Sequence, residues 1–189
     1  DLQKQQGLVL AVGHLKRLHP AIVHLQKLGL GTPRYIESQR LAPFKPRSLD
    51  IDVIMDLMIH DLDLALYMTG QPVQAVRAVG VPVVTDKVDM ANAWITFANG
   101  CVANIAASRV VREALRQTRL FWDDRYASVD FLSNTLRLYT RGQHSAGPIP
   151  GVLSEDIVLP ATDVLATEVD AFLDAVEGQT PVFCDASAG

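Results

Sequence analysis

The sequence predicts an α+β fold, a largely antiparallel open sheet with helices on one face and the other face given to an oligomeric contact. Three observations predict it. From residue 73 to about residue 140 the apolar positions recur with a period of two, broken by turn signals such as Asp123-Asp124 and Ser133-Asn134. Helical patterns flank that run. The chain has 189 residues, 49% of them apolar and 20% charged, enough to bury the core of one domain of ordinary to large size.

Each element has a local reason. Residues 1–7 read as the tail of a helix closed by Gly7, and 8–13 as a short strand. His19-Pro20 opens a helix to about Lys27, with Pro in the first turn and Gly29 just beyond the end. Residues 34–41 alternate as a strand, and 42–52 form a loop punctuated by Pro43 and Pro46. A long apolar helix spans 53–68, stopped by Gly70 and Pro72. Strands follow near 74–84, 90–98, 101–109, 116–122, 126–132 and 135–140, then a loop over 145–151. The last helix covers about 163–177, with an apolar stripe of Leu165, Val169, Phe172 and Val176 on one face and Gly178 at its end.

The longest uncharged run, 90–108, has the length of a membrane helix but carries Asn99-Gly100 at its centre. Both residues tolerate positive φ, so the run reads as a hairpin and not a membrane span. Its strands are expected to place Ala93, Ile95, Phe97 and Val102 on one face and Trp94, Ala98, Cys101 and Ile105 on the other. With one face packed on helices, the second apolar face needs a cover, and a second copy of the chain is the simplest. There is no signal-peptide pattern, and the two cysteines, Cys101 and Cys184, lack Cys-x-x-Cys or metal-ligand spacing; a cytoplasmic protein with reduced thiols is expected. Residues 1–50 hold eight basic against three acidic residues, leaving nine against eighteen in the remainder. The basic segment permits an anionic small molecule, while no dense basic run with interleaved aromatics points to nucleic acid.

The most informative segment is the helix over 53–68, where Asp56, His60, Asp63 and Tyr67 step by four, three and four and so share one face. The rest of its surface is Val, Ile, Leu and Met, which predicts burial, and buried carboxylates need partners or a cleft. A carboxylate one turn before an imidazole can fix its tautomer and hold it ready to take a proton from a hydroxyl. Two other readings fit the spacing. Asp56 and His60 can be a buried pair that ties the helix to a neighbouring loop. Alternatively Asp56, His60 and Asp61 can hold a metal with His14, His19 or His24, as in HD phosphohydrolases, although those are all-helical and this chain is rich in strands.

Three motifs in order resemble the C-terminal domain of the Gfo/Idh/MocA oxidoreductases. They are Val12-Gly13-His14-Leu15-Lys16-Arg17-Leu18-His19-Pro20, Asp56-x-x-x-His60-x-x-Asp63, and Glu168-Val-Asp-Ala-Phe172-Leu-Asp-Ala-Val176-Glu-Gly178. Arg40-Leu-Ala-Pro-Phe44-Lys-Pro-Arg47 further resembles the branch acting at carbon 3 of UDP-N-acetylglucosamine, whose 3-keto product feeds an aminotransferase in the making of lipid A. The resemblance implies oxidation of a sugar hydroxyl with NAD or NADP as hydride acceptor and a nucleotide-sugar substrate. It implies His60 as acid/base, Asp56 as its orienter and a substrate contact, and Asp63 as a residue that holds the helix. Arg17 falls at the family's basic position facing the cleft, and Arg40, Lys45 and Arg47 are candidates for the substrate pyrophosphate. The resemblance calls for no metal. His19 departs from the Asn that many members carry there. The chain contains neither Gly-x-Gly-x-x-Gly nor the family's Glu-Lys-Pro segment. It is therefore expected to be the C-terminal part of a longer enzyme, with the dinucleotide-binding domain elsewhere and no turnover alone. A non-catalytic assembly module is the competing expectation.

Overall fold

A computed structural model describes residues 5–46, 50–142 and 151–186. The elements run α1 (Pro20–Lys27), β1 (Tyr35–Leu41), α2 (Ile59–Thr69), β2 (Val73–Val81), β3 (Met90–Phe97), β4 (Val102–Ser108), β5 (Leu115–Phe121), β6 (Arg125–Asp130), β7 (Thr135–Arg141), β8 (Val152–Ile157) and α3 (Val164–Val176). The chain divides into two compact units, residues 1–28 with 160–189 and residues 29–159.

In the first unit, α1 starts as its sequence demands. The His19 side chain accepts the Ala21 N–H at 3.2 Å, and Pro20 fills the first turn, where its missing donor costs nothing. Asp163 caps α3 by accepting the N–H groups of Leu165 and Ala166 at 3.0 and 3.1 Å. The apolar stripe on α3 is not a covered face: Leu165, Val169 and Val176 are 60%, 51% and 52% exposed. Residues 8–13 form no strand either. Val12 donates its N–H to the Cys184 carbonyl at 2.9 Å, a single bond and not a ladder.

The second unit is built on an eight-stranded sheet ordered β2-β3-β4-β1-β5-β6-β7-β8. Every pairing is antiparallel except β1 with β4. The helical segment that begins at Val53 packs on β1 and β4, so the helix-covered face lies at the middle of the sheet. Ile36, Ile105, Leu120, Ala127, Val129 and Leu136 are buried on that face. Each large aliphatic among them contributes about 1.5–3 kcal/mol on burial. The strands expected between residues 34 and 140 are present, and β8 is an addition. Its Ser154-Glu155-Asp156 centre hides it from an apolar-periodicity reading, since an edge strand paired only to β7 has little to bury.

The β3–β4 hairpin corrects the expected facing. Phe97 donates to the Cys101 carbonyl and Gly100 to the Phe97 carbonyl, both at 2.9 Å, so three residues, Ala98, Asn99 and Gly100, form the loop. Gly100 sits at φ 83°, the left-handed position that a three-residue loop reserves for glycine. A two-residue Asn-Gly turn would have paired Phe97 with Val102; here Thr96 faces Val102 and Ala93 faces Ile105. That one-residue change turns every β4 side chain to the other face. Cys101 and Ile105 are therefore buried with Phe97, and the opposite face carries Trp94 beside Asn92, whose amide donates to Asn104 at 3.0 Å. That face is more polar than the sequence suggested. An aromatic row nevertheless crosses it, with ring centroids 6.1 Å apart for Trp94–Tyr35, 5.8 Å for Tyr35–Phe121, 5.2 Å for Phe121–Tyr126 and 4.1 Å for Tyr126–Tyr139.

Candidate functional site

The informative helix does not run as an uninterrupted α-helix. Ile54–Met58 is a π turn, closed by the Ile59 N–H on the Ile54 carbonyl, before α2 continues to Thr69. Such turns occur mostly as single insertions in helices, often at functional sites. Three contacts fix the start. Asp52 accepts the N–H groups of Ile54 and Met55 at 3.0 and 2.9 Å, Val53 donates to the Val88 carbonyl at 2.9 Å, and Arg109 donates to the Ile51 carbonyl at 2.9 Å.

Arg109 is itself held by Asp89, Nε to Oδ1 at 2.9 Å, with both side chains buried. Asp89 also accepts the backbone N–H groups of Val83, Val84 and Thr85 and the Thr85 hydroxyl, at 2.7–2.9 Å. Desolvation alone would raise its pKa, yet these donors hold it well below the ordinary carboxylate range. The pair follows from the hairpin register: one step beyond Met90 opposite Ser108 brings Asp89 opposite Arg109. The sequence carried this signal, an acid just before one strand and a base just after the next, but a two-residue turn would have set Asp89 against Val110.

The helix's polar residues separate by environment. Asp56 and His60 are half-buried, whereas Asp61 and Asp63 are buried. Asp61 accepts a short hydrogen bond from the Ser38 hydroxyl, which lies 2.7 Å from the Thr118 hydroxyl, so Asp61 joins α2 to β1 and β5. The set Asp56, His60 and Asp61 does not gather its ligand atoms at one point among the described residues. The helix is not buried all round, since Met55 and Leu66 are 57% and 42% exposed.

Asp56 opens on a cleft of about 100 Å³ lined by Ala42, Pro43, Lys45, Leu57, Arg109, Ala114 and Arg116. It lies where β1 and β4, the parallel pair, both end and the helix begins. Of the expected substrate contacts, Lys45 lines this cleft and Arg40 lies beside it, in the fields of Asp61, Asp56 and Arg116. Burial lowers the pKa of Arg40, the carboxylates oppose that and Arg116 adds to it. Arg40 Nε is buried without a hydrogen-bond partner among the described residues. Arg17 belongs to the first unit, where it donates to the Phe183 carbonyl at 3.3 Å. Arg47 lies outside the described residues. Arg116 and Arg109 are additions that sequence reasoning did not single out. A larger hollow of about 840 Å³ occupies the other face of the sheet, but its charged walls include the closed pair Arg137–Asp156, and Arg119 is paired with Glu37. The acid/base candidates are not among its lining residues.

Residues 25–125 match the family model of the GFO/IDH/MocA C-terminal domain. The whole chain is 61% identical over 188 residues to the UDP-N-acetylglucosamine 3-dehydrogenase of Acidithiobacillus ferrooxidans, of which it spans 60%. A solved structure of that enzyme superposes with a TM-score of 0.94 over 99% of this chain and 60% of its own. Levoglucosan dehydrogenase in complex with NADH shares the fold at 18% identity, with a TM-score of 0.74 over 95% of this chain and 60% of its own. The chain belongs to the GFO/IDH/MocA family and carries its C-terminal domain.

Proposed function

We propose that the chain is the substrate-holding part of a cytoplasmic NAD(P)-dependent sugar dehydrogenase that oxidises carbon 3 of UDP-N-acetylglucosamine, in the amino-sugar branch that supplies lipid A. The observation that carries the proposal is the half-buried Asp56 in the wall of a cation-lined cleft, with half-buried His60 four residues on and outside that lining, in a chain 61% identical to an enzyme of that name. In this reading a nitrogen of the His60 imidazole accepts the proton released by the sugar hydroxyl. Asp56, one turn earlier, orients the ring and favours its charged form once the proton has arrived. Asp63 and Asp61 hold the helix, and Arg17, Arg40, Lys45 and Arg47 serve the anionic substrate.

The described residues do not fit a nicotinamide dinucleotide. The parallel pair β1–β4 is not followed by a glycine-rich turn into a helix, the arrangement that cradles a pyrophosphate. The hydride acceptor is assigned to a separate dinucleotide-binding domain, and the chain alone is expected not to turn over. Sustained NADH production on adding NAD and UDP-N-acetylglucosamine to the chain overturns that assignment. The function itself is tested by titrating the chain with UDP-N-acetylglucosamine: His60 ring resonances are expected to shift, and no shift at millimolar ligand favours an assembly module. A homo-oligomer joined through the aromatic sheet face is part of the same proposal, supported by Trp94 at 44% exposure and by the exposed Val79 and Val81, which share that face on β2.

A further inference from the structure

Arg40 on β1 and Arg116 on β5 are directly opposite in the antiparallel ladder. They share the face that holds Ser38 and Thr118, two residues along each strand. Like charges so placed repel and destabilise a sheet, and the repulsion persists here because neither guanidinium closes an ion pair with a described residue. The nearby acids offset it only in part: the Asp61 and Asp56 carboxylates act on Arg40 through their fields without a closed ion pair, and Asp89 is taken by Arg109. Lys45 enters the same cleft from the loop after β1, adding a third cation. A fold that keeps two opposed arginines, one with a buried unsatisfied Nε, is built to receive an anion.

We infer that Arg116 is a substrate-binding residue, and that Arg40 and Arg116 form a two-stranded guanidinium clamp, closed by Lys45, for the diphosphate of a nucleotide sugar. The inference rests on the proposed function and deepens it, since it names the residue pair that reads the anionic part of the substrate. Two planar forks from neighbouring strands can each meet phosphate oxygens, which suits a diphosphate better than a single carboxylate.

The test is calorimetric titration of the chain and of Arg116→Ala with UDP-N-acetylglucosamine, UDP, uridine and inorganic phosphate, with melting curves for both proteins. The expected result is a loss of about 10–100-fold in affinity for UDP and UDP-N-acetylglucosamine in Arg116→Ala. Uridine binding stays as it was, and the melting temperature is unchanged or higher because the repulsion is relieved. Arg116→Lys recovers part of the affinity. Inorganic phosphate binding more weakly than UDP assigns the clamp to the nucleotide; equal binding overturns the diphosphate assignment. Wild-type chain that binds UDP with Arg116→Ala equally tight overturns the clamp and leaves the proposed function standing. Wild-type chain that binds neither UDP nor UDP-N-acetylglucosamine overturns both.

Discussion

His60 is half-buried on a helix whose tie to the sheet is made one residue later by Asp61. In the dehydrogenase proposed here, His60→Ala is expected to lower kcat by about 10²–10⁴-fold. The melting temperature should move by no more than about 2–4 °C. Equal losses of turnover and stability would assign Asp56–His60 to a structural pair. Arg109 is the opposite case. Replacing it with Ala leaves Asp89 charged and buried without its counter-ion, and a loss of about 3–5 kcal/mol in denaturant unfolding is expected. The pH dependence follows from the same carboxylate. Its folded pKa is depressed, so its stabilising contribution is complete above the unfolded value near 4 and is lost as the pH falls from there through the folded value. Asp89→Asn should flatten the acid limb of the stability curve and lower its plateau.

The three-residue β3–β4 loop decides two things together, the burial of β4 and the meeting of Asp89 with Arg109. Gly100→Ala, at φ 83°, should cost about 1–2 kcal/mol, read from thermal or denaturant melts. Gly80 acts by close approach, because a Cβ there would lie 2.8 Å from Val88 Cγ1, and Val88 receives the Val53 N–H that begins the site helix. Gly80→Ala should destabilise by about 1–3 kcal/mol and disturb the cleft beside Asp56. Both loop and close approach were partly legible. Asn99-Gly100 marked a turn, but residue identity alone does not count the loop's residues, and a slip of one reverses a strand. Element types from 20 to 141 could be read because they carry strong periodicity, whereas β8 bears charges where a core strand bears apolar residues. Spacing and resemblance pointed to Asp56 and Lys45, which line the cleft, and to His60, which is outside its lining. Arg116 was not legible, because its meaning arises only when β5 pairs beside β1.

At the scale of the molecule, the exposed β2 edge and the aromatic row frame the proposed contact between copies. Sedimentation at micromolar concentration should find an oligomer, and Trp94→Arg should shift it toward the monomer; wild-type monomer at that concentration would refute the contact. The strand order also has a mechanical meaning. β4 and β5 never touch by hydrogen bonds; only β1, first of the strands in sequence, spans the gap between them. The sheet is thus two ribbons, β2-β3-β4 and β5-β6-β7-β8, stitched along a single seam. That stitch must wait for chain some eighty residues downstream, a late and entropically demanding closure. A diphosphate gripped from β1 and β5 would act as a rivet across one side of the seam. Amide hydrogen exchange along β1 should then slow on adding UDP well before that of β7 or β8 does.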